Sequence, residues 1–133
     1  MILASLSPSA ATQRIERAFL QNNAKMLLAL MPVEGLIKLS LPEPLSFSDQ
    51  LSDQQAYFLF KKIFATYITL EFYPTRQPLP GEGRSHIFKT RWSFQDPKNN
   101  KFFMNLFFYL RDLSSDSSSG PLWKITEIRA EES

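Results

Sequence analysis

From His86 to Leu113 the sequence alternates apolar and polar side chains on both sides of a single turn, and no other stretch constrains the fold as strongly. His86, Phe88, Thr90, Trp92 and Phe94 share one parity, with Ile87, Lys89, Arg91 and Ser93 on the other. That is the period of a half-buried strand. Asp96-Pro97-Lys98-Asn99-Asn100 follows, and Asp, Pro and Asn each favour turn geometry. The return segment, Lys101 to Leu113, puts Phe102, Met104, Leu106, Phe108 and Leu110 on one side and Phe103, Asn105, Phe107, Tyr109 and Arg111 on the other. A return strand with one wholly apolar face needs an antiparallel sheet and a layer to cover it. The second face is itself half apolar, so a pocket or another subunit is expected to cover part of it.

The covering layer is legible upstream. Ser7 and Pro8 suit an N-cap and a first helical position, and Ser9 to Leu30 reads as one helix with Ile15, Phe19, Met26, Leu27 and Leu30 near one face. Pro32 closes it. Val33 to Leu41 then alternates as a strand that Pro42 and Pro44 end. Ser52-Asp53-Gln54-Gln55 is a capping box, which starts a helix whose apolar stripe is Ala56, Phe60, Ile63, Phe64 and Tyr67. At Ile68 the period drops to two, with Ile68, Leu70 and Phe72 opposite Thr69, Glu71 and Tyr73, and Pro74 terminates the strand. Residues 74–84 and Ser114 to Gly120 are loops. Leu122 to Ala130 is a last strand, where Trp123 and Ile125 share a parity that Ile128 breaks, so a bulge is expected near Thr126 or Glu127. The order α-β-α-β-β-β-β predicts an α+β fold, a curved antiparallel sheet of about four to six strands on N-terminal helices. It occupies one domain, 1–133, with an ordered core about 8–130.

Composition removes several function classes. The 133 residues are 44% hydrophobic and 14% aromatic, too apolar for a disordered chain and long enough to fill a core without a disulfide or structural metal. With no Cys there is no thiol nucleophile and no Cys-based metal site, and a single His cannot build a His-rich one. No metal or other cofactor is therefore expected. The longest uninterrupted apolar run, Met26 to Met31, is far too short to span a membrane. Met1 to Ala11 lacks the basic and apolar regions of an intact signal peptide, which leaves a cytoplasmic protein or an exported one whose signal has been removed. Formal charge is +2, yet residues 76–101 hold six basic side chains against two acidic ones. With Trp92 and Phe94 this could serve nucleic acid. The charges form no dense cluster, which favours a solvated strand face and makes a nucleic-acid partner unlikely.

Ile15-Glu16-Arg17-Ala18-Phe19 and Asn23-Ala24 in the first helix, Ser52-Asp53-Gln54-Gln55-Ala56 opening the second, and Trp123-Lys124-Ile125-Thr126-Glu127-Ile128-Arg129 in the last strand resemble the nuclear transport factor 2-like, or cystatin-like, α+β cone superfamily. Within it the chain is similar to bacterial families of unknown function. The match runs from about Ala10 to Arg129. The resemblance implies a cone with a pocket between helices and sheet, and often a homodimer through the sheet. Isomerases, dehydratases, carriers and non-enzymatic interaction domains share this fold, so it does not choose among them.

Steroid-isomerase-like relatives pair a carboxylate base with acidic hydroxyl donors. Here Asp49, Asp53, Asp96, Asp112 and Asp116 fall in caps and turns, and Glu71 has the parity opposite Leu70 and Phe72. His86 is the one catalytic candidate, a general base on an aromatic face; the alternative is an ordinary histidine at a strand start. Tyr57, Phe60, Phe64, Tyr67, Phe88, Trp92, Asn105 and Tyr109 are the ligand-pocket candidates. The leading reading is a non-catalytic domain that binds a small apolar or aromatic ligand or a protein partner and self-associates. The alternative is a small-molecule enzyme with a His/Tyr pocket.

Overall fold

The computed structural model describes residues 8–75, 83–114 and 120–133. Its elements are α1 (Pro8–Leu20), α2 (Ala24–Leu28), β1 (Ile37–Leu41), β2 (Phe47–Leu51), α3 (Asp53–Thr66), β3 (Ile68–Pro74), β4 (Ser85–Gln95), β5 (Lys101–Asp112) and β6 (Trp123–Glu132). The helices pack on a six-stranded sheet of order β2-β1-β6-β5-β4-β3. β1 and β6 pair in parallel and all other neighbours are antiparallel, so the sheet is mixed. The expected N-cap Ser7 and most of the loops at 74–84 and 114–120 lie outside the described residues.

The single helix expected over Ser9 to Leu30 is two helices. Asn22 takes a left-handed φ of 51°, which no continuing helix tolerates. Asn23 then caps α2 by accepting from the Lys25 amide at 3.0 Å. Strand β1 is shorter than Val33 to Leu41 predicts, because Gly35 at φ 98° breaks the extended chain and leaves Val33 exposed. β2 is not legible as a strand in the sequence, since Phe47-Ser48-Asp49-Gln50-Leu51 has a polar centre with exposed side chains. The capping box of α3 forms in full: Gln55 N donates to Ser52 Oγ at 3.2 Å and Ser52 N to Gln55 Oε1 at 2.9 Å.

Two bulges set which side chains meet the helices. In β3 the register shifts between Thr69 and Glu71, so only Phe72 of the expected trio faces inward, and Ile68 and Leu70 are exposed on the free edge. An edge bulge discourages further strand pairing. In β6, Tyr109 pairs with Glu127 and Leu110 with Ile125, which makes Thr126 the extra residue. Without it Ile128 would point to the wrong side. With it, Ile125, Ile128 and Ala130 join Phe88, Trp92, Phe94, Met104, Leu106, Phe108 and Leu110 in one core with Ile15, Phe19, Phe60 and Phe64 from the helices.

Candidate functional site

The side of the sheet under the helices is filled with rings. Phe19 of α1 stands at the centre, stacked on Phe72 at 4.5 Å and edge-on to Trp92 at 5.1 Å, Phe64 at 5.2 Å, Phe108 at 5.7 Å and Phe60 at 6.0 Å. Trp92 in turn stacks on Phe94 at 4.0 Å. Edge-to-face and offset pairs of this kind each contribute about 0.5–1.5 kcal/mol beyond their burial. The polar groups here are already satisfied. Trp92 Nε1 donates to Thr69 Oγ1 at 3.0 Å, and buried Thr90 donates through Oγ1 to the Leu106 carbonyl at 3.1 Å.

This geometry divides the sequence candidates. Phe60, Phe64, Phe88 and Trp92 are buried in the ring cluster, and Tyr67 borders it, edge-on to Phe94 at 5.2 Å. Tyr57 is half-buried on α3 beside Phe58 and under the Lys61 ammonium. Asn105 and Tyr109 lie on the opposite side of the sheet. They share no cavity with the ring cluster. His86 has the inward parity but sits at the end of β4, half-buried, its ring 6.5 Å from Trp123. Burial lowers its pKa, which favours the neutral imidazole at pH 7. Among the described residues no carboxylate hydrogen-bonds to it.

The aspartates do structural work. Asp112 accepts from the amides of Leu122 at 2.8 Å and Ser114 at 3.0 Å and lies 3.6 Å from Arg84, which closes the base of the last loop. These amides, the Leu122 one foremost, pull its carboxyl down to about 2. Asp96 accepts from the Asn100 side chain and from the amides of Asn100 and Lys98, so its pKa is also lowered, the side-chain bond contributing most. No three His, Asp or Glu side chains gather as a metal-binding cluster among the described residues.

The outer side of the sheet is a different surface. Ile87, Lys89 and Arg91 of β4 run beside Phe103, Asn105, Phe107 and Tyr109 of β5, and those beside Glu127, Arg129 and Glu131 of β6. Phe103 is 46% exposed and Ile87 41%, while Phe107 and Tyr109 are half-buried. The Arg129 guanidinium lies over both rings, 5.0 Å from Phe107 and 5.8 Å from Tyr109, and its buried Nε has no acceptor among the described residues. The sequence does not single out Arg129, because its place over Phe107 and Tyr109 depends on the register between β5 and β6, which side-chain period alone does not give.

Helices on one face of an open six-stranded sheet, with a packed interior, define an α+β cone. Comparison with solved structures identifies the fold as nuclear transport factor 2-like. A DUF4783 family protein from Bacteroides ovatus superposes with a TM-score of 0.68 at 13% identity, over 98% of this chain and 98% of that one. A ketosteroid isomerase-like protein from Erwinia carotovora atroseptica gives 0.67 at 11% identity, over 96% and 93%. An NTF2-like protein from Burkholderia xenovorans gives 0.56 at 16%, over 97% and 93%. At these identities the likeness is one of fold. No protein-family model matches the chain, and no curated protein does.

Proposed function

We propose that this is a non-catalytic interaction domain whose working surface is the outer side of the sheet, and that its partner there is a protein, a second copy of the chain in the first instance. The observation that carries this reading is the row of Phe103, Phe107 and Tyr109 on a side that the helices do not cover. Contiguous aromatic surface framed by charges is the composition of a docking patch. The filled interior argues against a small apolar ligand within the cone, and the absence of an acid beside His86 among the described residues argues against the isomerase or dehydratase alternative.

Lys89 and Arg91 lie on β4, Glu127 and Glu131 on β6, and the aromatic row of β5 runs between them. A two-fold axis along β5 lays β4 of one copy over β6 of the other, as an isologous interface requires; it brings Arg91 over the acidic Glu131 of the other copy and Lys89 over its Arg129. Arg91, Asn105 and Glu131 occupy one row, so Arg91 opposes the partner copy's acidic row. Light scattering on a charge swap tests this: R91E is expected to be monomeric and R91E/E131R to dimerise again. A wild-type chain that stays monomeric, or an R91E variant that dimerises as well as wild type, contradicts it.

A further inference from the structure

The geometry points to a binding site for a free tetrahedral oxyanion, of the phosphate or sulfate class, between Arg129 of one copy and Lys89 of the other. This inference rests on the docking surface proposed above and adds a ligand that strengthens it.

Arg129 is held by rings and not by hydrogen bonds. A guanidinium carries five N–H donors, and among the described residues none of those on Arg129 makes a hydrogen bond. Its ion pair with Glu131 is 3.8 Å long, beyond hydrogen-bond length. Phe107 and Tyr109 support the group from the sheet side, so it is placed before any ligand arrives. Nε is buried, but the side chain as a whole is 44% exposed, which leaves the Nη groups as the points of contact. Ser40 adjoins Arg129 on β1, and Ser48 adjoins Ser40 on β2, each with a hydroxyl that no described residue engages.

The two-fold arrangement decides which chemistry completes the site. Lys89, Phe107 and Arg129 share one row, so Lys89 of the other copy comes over Arg129. Glu131 is drawn meanwhile to the other copy's Arg91. Two cations are left facing one another at each of two equivalent places, and like charges so placed repel. A tetrahedral oxyanion removes the repulsion: two of its oxygens match the planar fork of the guanidinium and a third accepts from the ammonium. Ser40 stands one strand spacing away as a further donor. Chloride brings the charge but cannot span the fork. A cation or a neutral ligand leaves the repulsion in place.

Sedimentation equilibrium of the full chain in sodium phosphate and in sodium chloride of equal ionic strength tests the site, with the Arg129 Nε–H resonance followed in both. Phosphate is expected to tighten association roughly tenfold, by mass action on the dimer, and to move that resonance saturably. K89Q removes the opposing charge, so it should dimerise in chloride at least as tightly as wild type and gain little from phosphate. R129K keeps the charge but lacks the fork, and should lose most of the gain. A wild-type dimer equally strong in both salts, or a phosphate gain that K89Q and R129K keep in full, overturns the oxyanion site and leaves the interface standing. A wild-type monomer in both salts overturns both. Glycerol phosphate acting as well as inorganic phosphate overturns the free ion as the ligand.

Discussion

The side-chain amide of Asn22 donates to the Tyr67 carbonyl at 2.8 Å, which fastens the end of the first helix to the point where the third becomes a strand. The same Nδ2 reaches the Phe64 carbonyl at 3.0 Å, and Oδ1 accepts from the Thr69 amide at 3.3 Å. One residue thus satisfies two of the orphan carbonyls at the end of α3 and one amide of β3. Because α1 carries Phe19, this fastening also fixes the hub of the ring cluster.

Asn22→Ala removes all three bonds and leaves partly buried backbone groups without partners. The expected loss is about 2–4 kcal/mol in urea unfolding. Asn22→Gly loses the same bonds but accepts φ 51° without strain, so it should be less destabilised than Asn22→Ala. Equal stability of Asn22→Ala and wild type contradicts the fastening role.

Phe19→Ala should cost about 3–5 kcal/mol, the range for a buried aromatic truncated to Ala. The variant should also bind benzene in the vacated space, whereas wild type should not, since an apolar cavity of that kind stays dry and accepts apolar guests. Benzene binding by the wild-type chain would show that the cone interior is not filled.

Asp112 gives the fold a defined acid sensitivity. Its folded pKa, about 2, lies below the ordinary 3.8, so its contribution is fully present above the unfolded value and is lost as pH falls through the folded one. The stability gap between wild type and Asp112→Asn, measured by denaturant unfolding, should therefore shrink as pH is lowered from 3.8 toward 2. A gap that widens with acid contradicts the clasp at Leu122 and Ser114.

The sequence is most informative where one local rule acts alone. The Ser52 and Gln55 capping box, the two faces of β4 and β5, and the bulge at Thr126 are all readable as pattern, because side-chain period and cap chemistry decide them. Elsewhere a longer-range demand prevails. The break at Asn22 is fixed by the carbonyls of Phe64 and Tyr67 more than forty residues away, and the apolar residues of 9–30 look continuous without them. β2 has no apolar alternation and exists by pairing with β1. The pocket candidates read from sequence fall on both sides of the sheet, because aromatic content alone does not tell a filled core from an open surface. That distinction needed Phe19, whose helix parity marks it as core but not as the residue that occupies the cone.

An interface between copies on the outer side of the sheet makes its exposed apolar residues decisive for association. Ile87 and Phe103 are exposed apolar residues of β4 and β5 on this side, so lysine at both positions should leave the fold intact, as circular dichroism can verify, while abolishing association. Sedimentation velocity across a concentration series is the direct measurement: wild type should sediment as a dimer and I87K/F103K as a monomer, and a wild-type monomer at every concentration or an I87K/F103K dimer would contradict the interface.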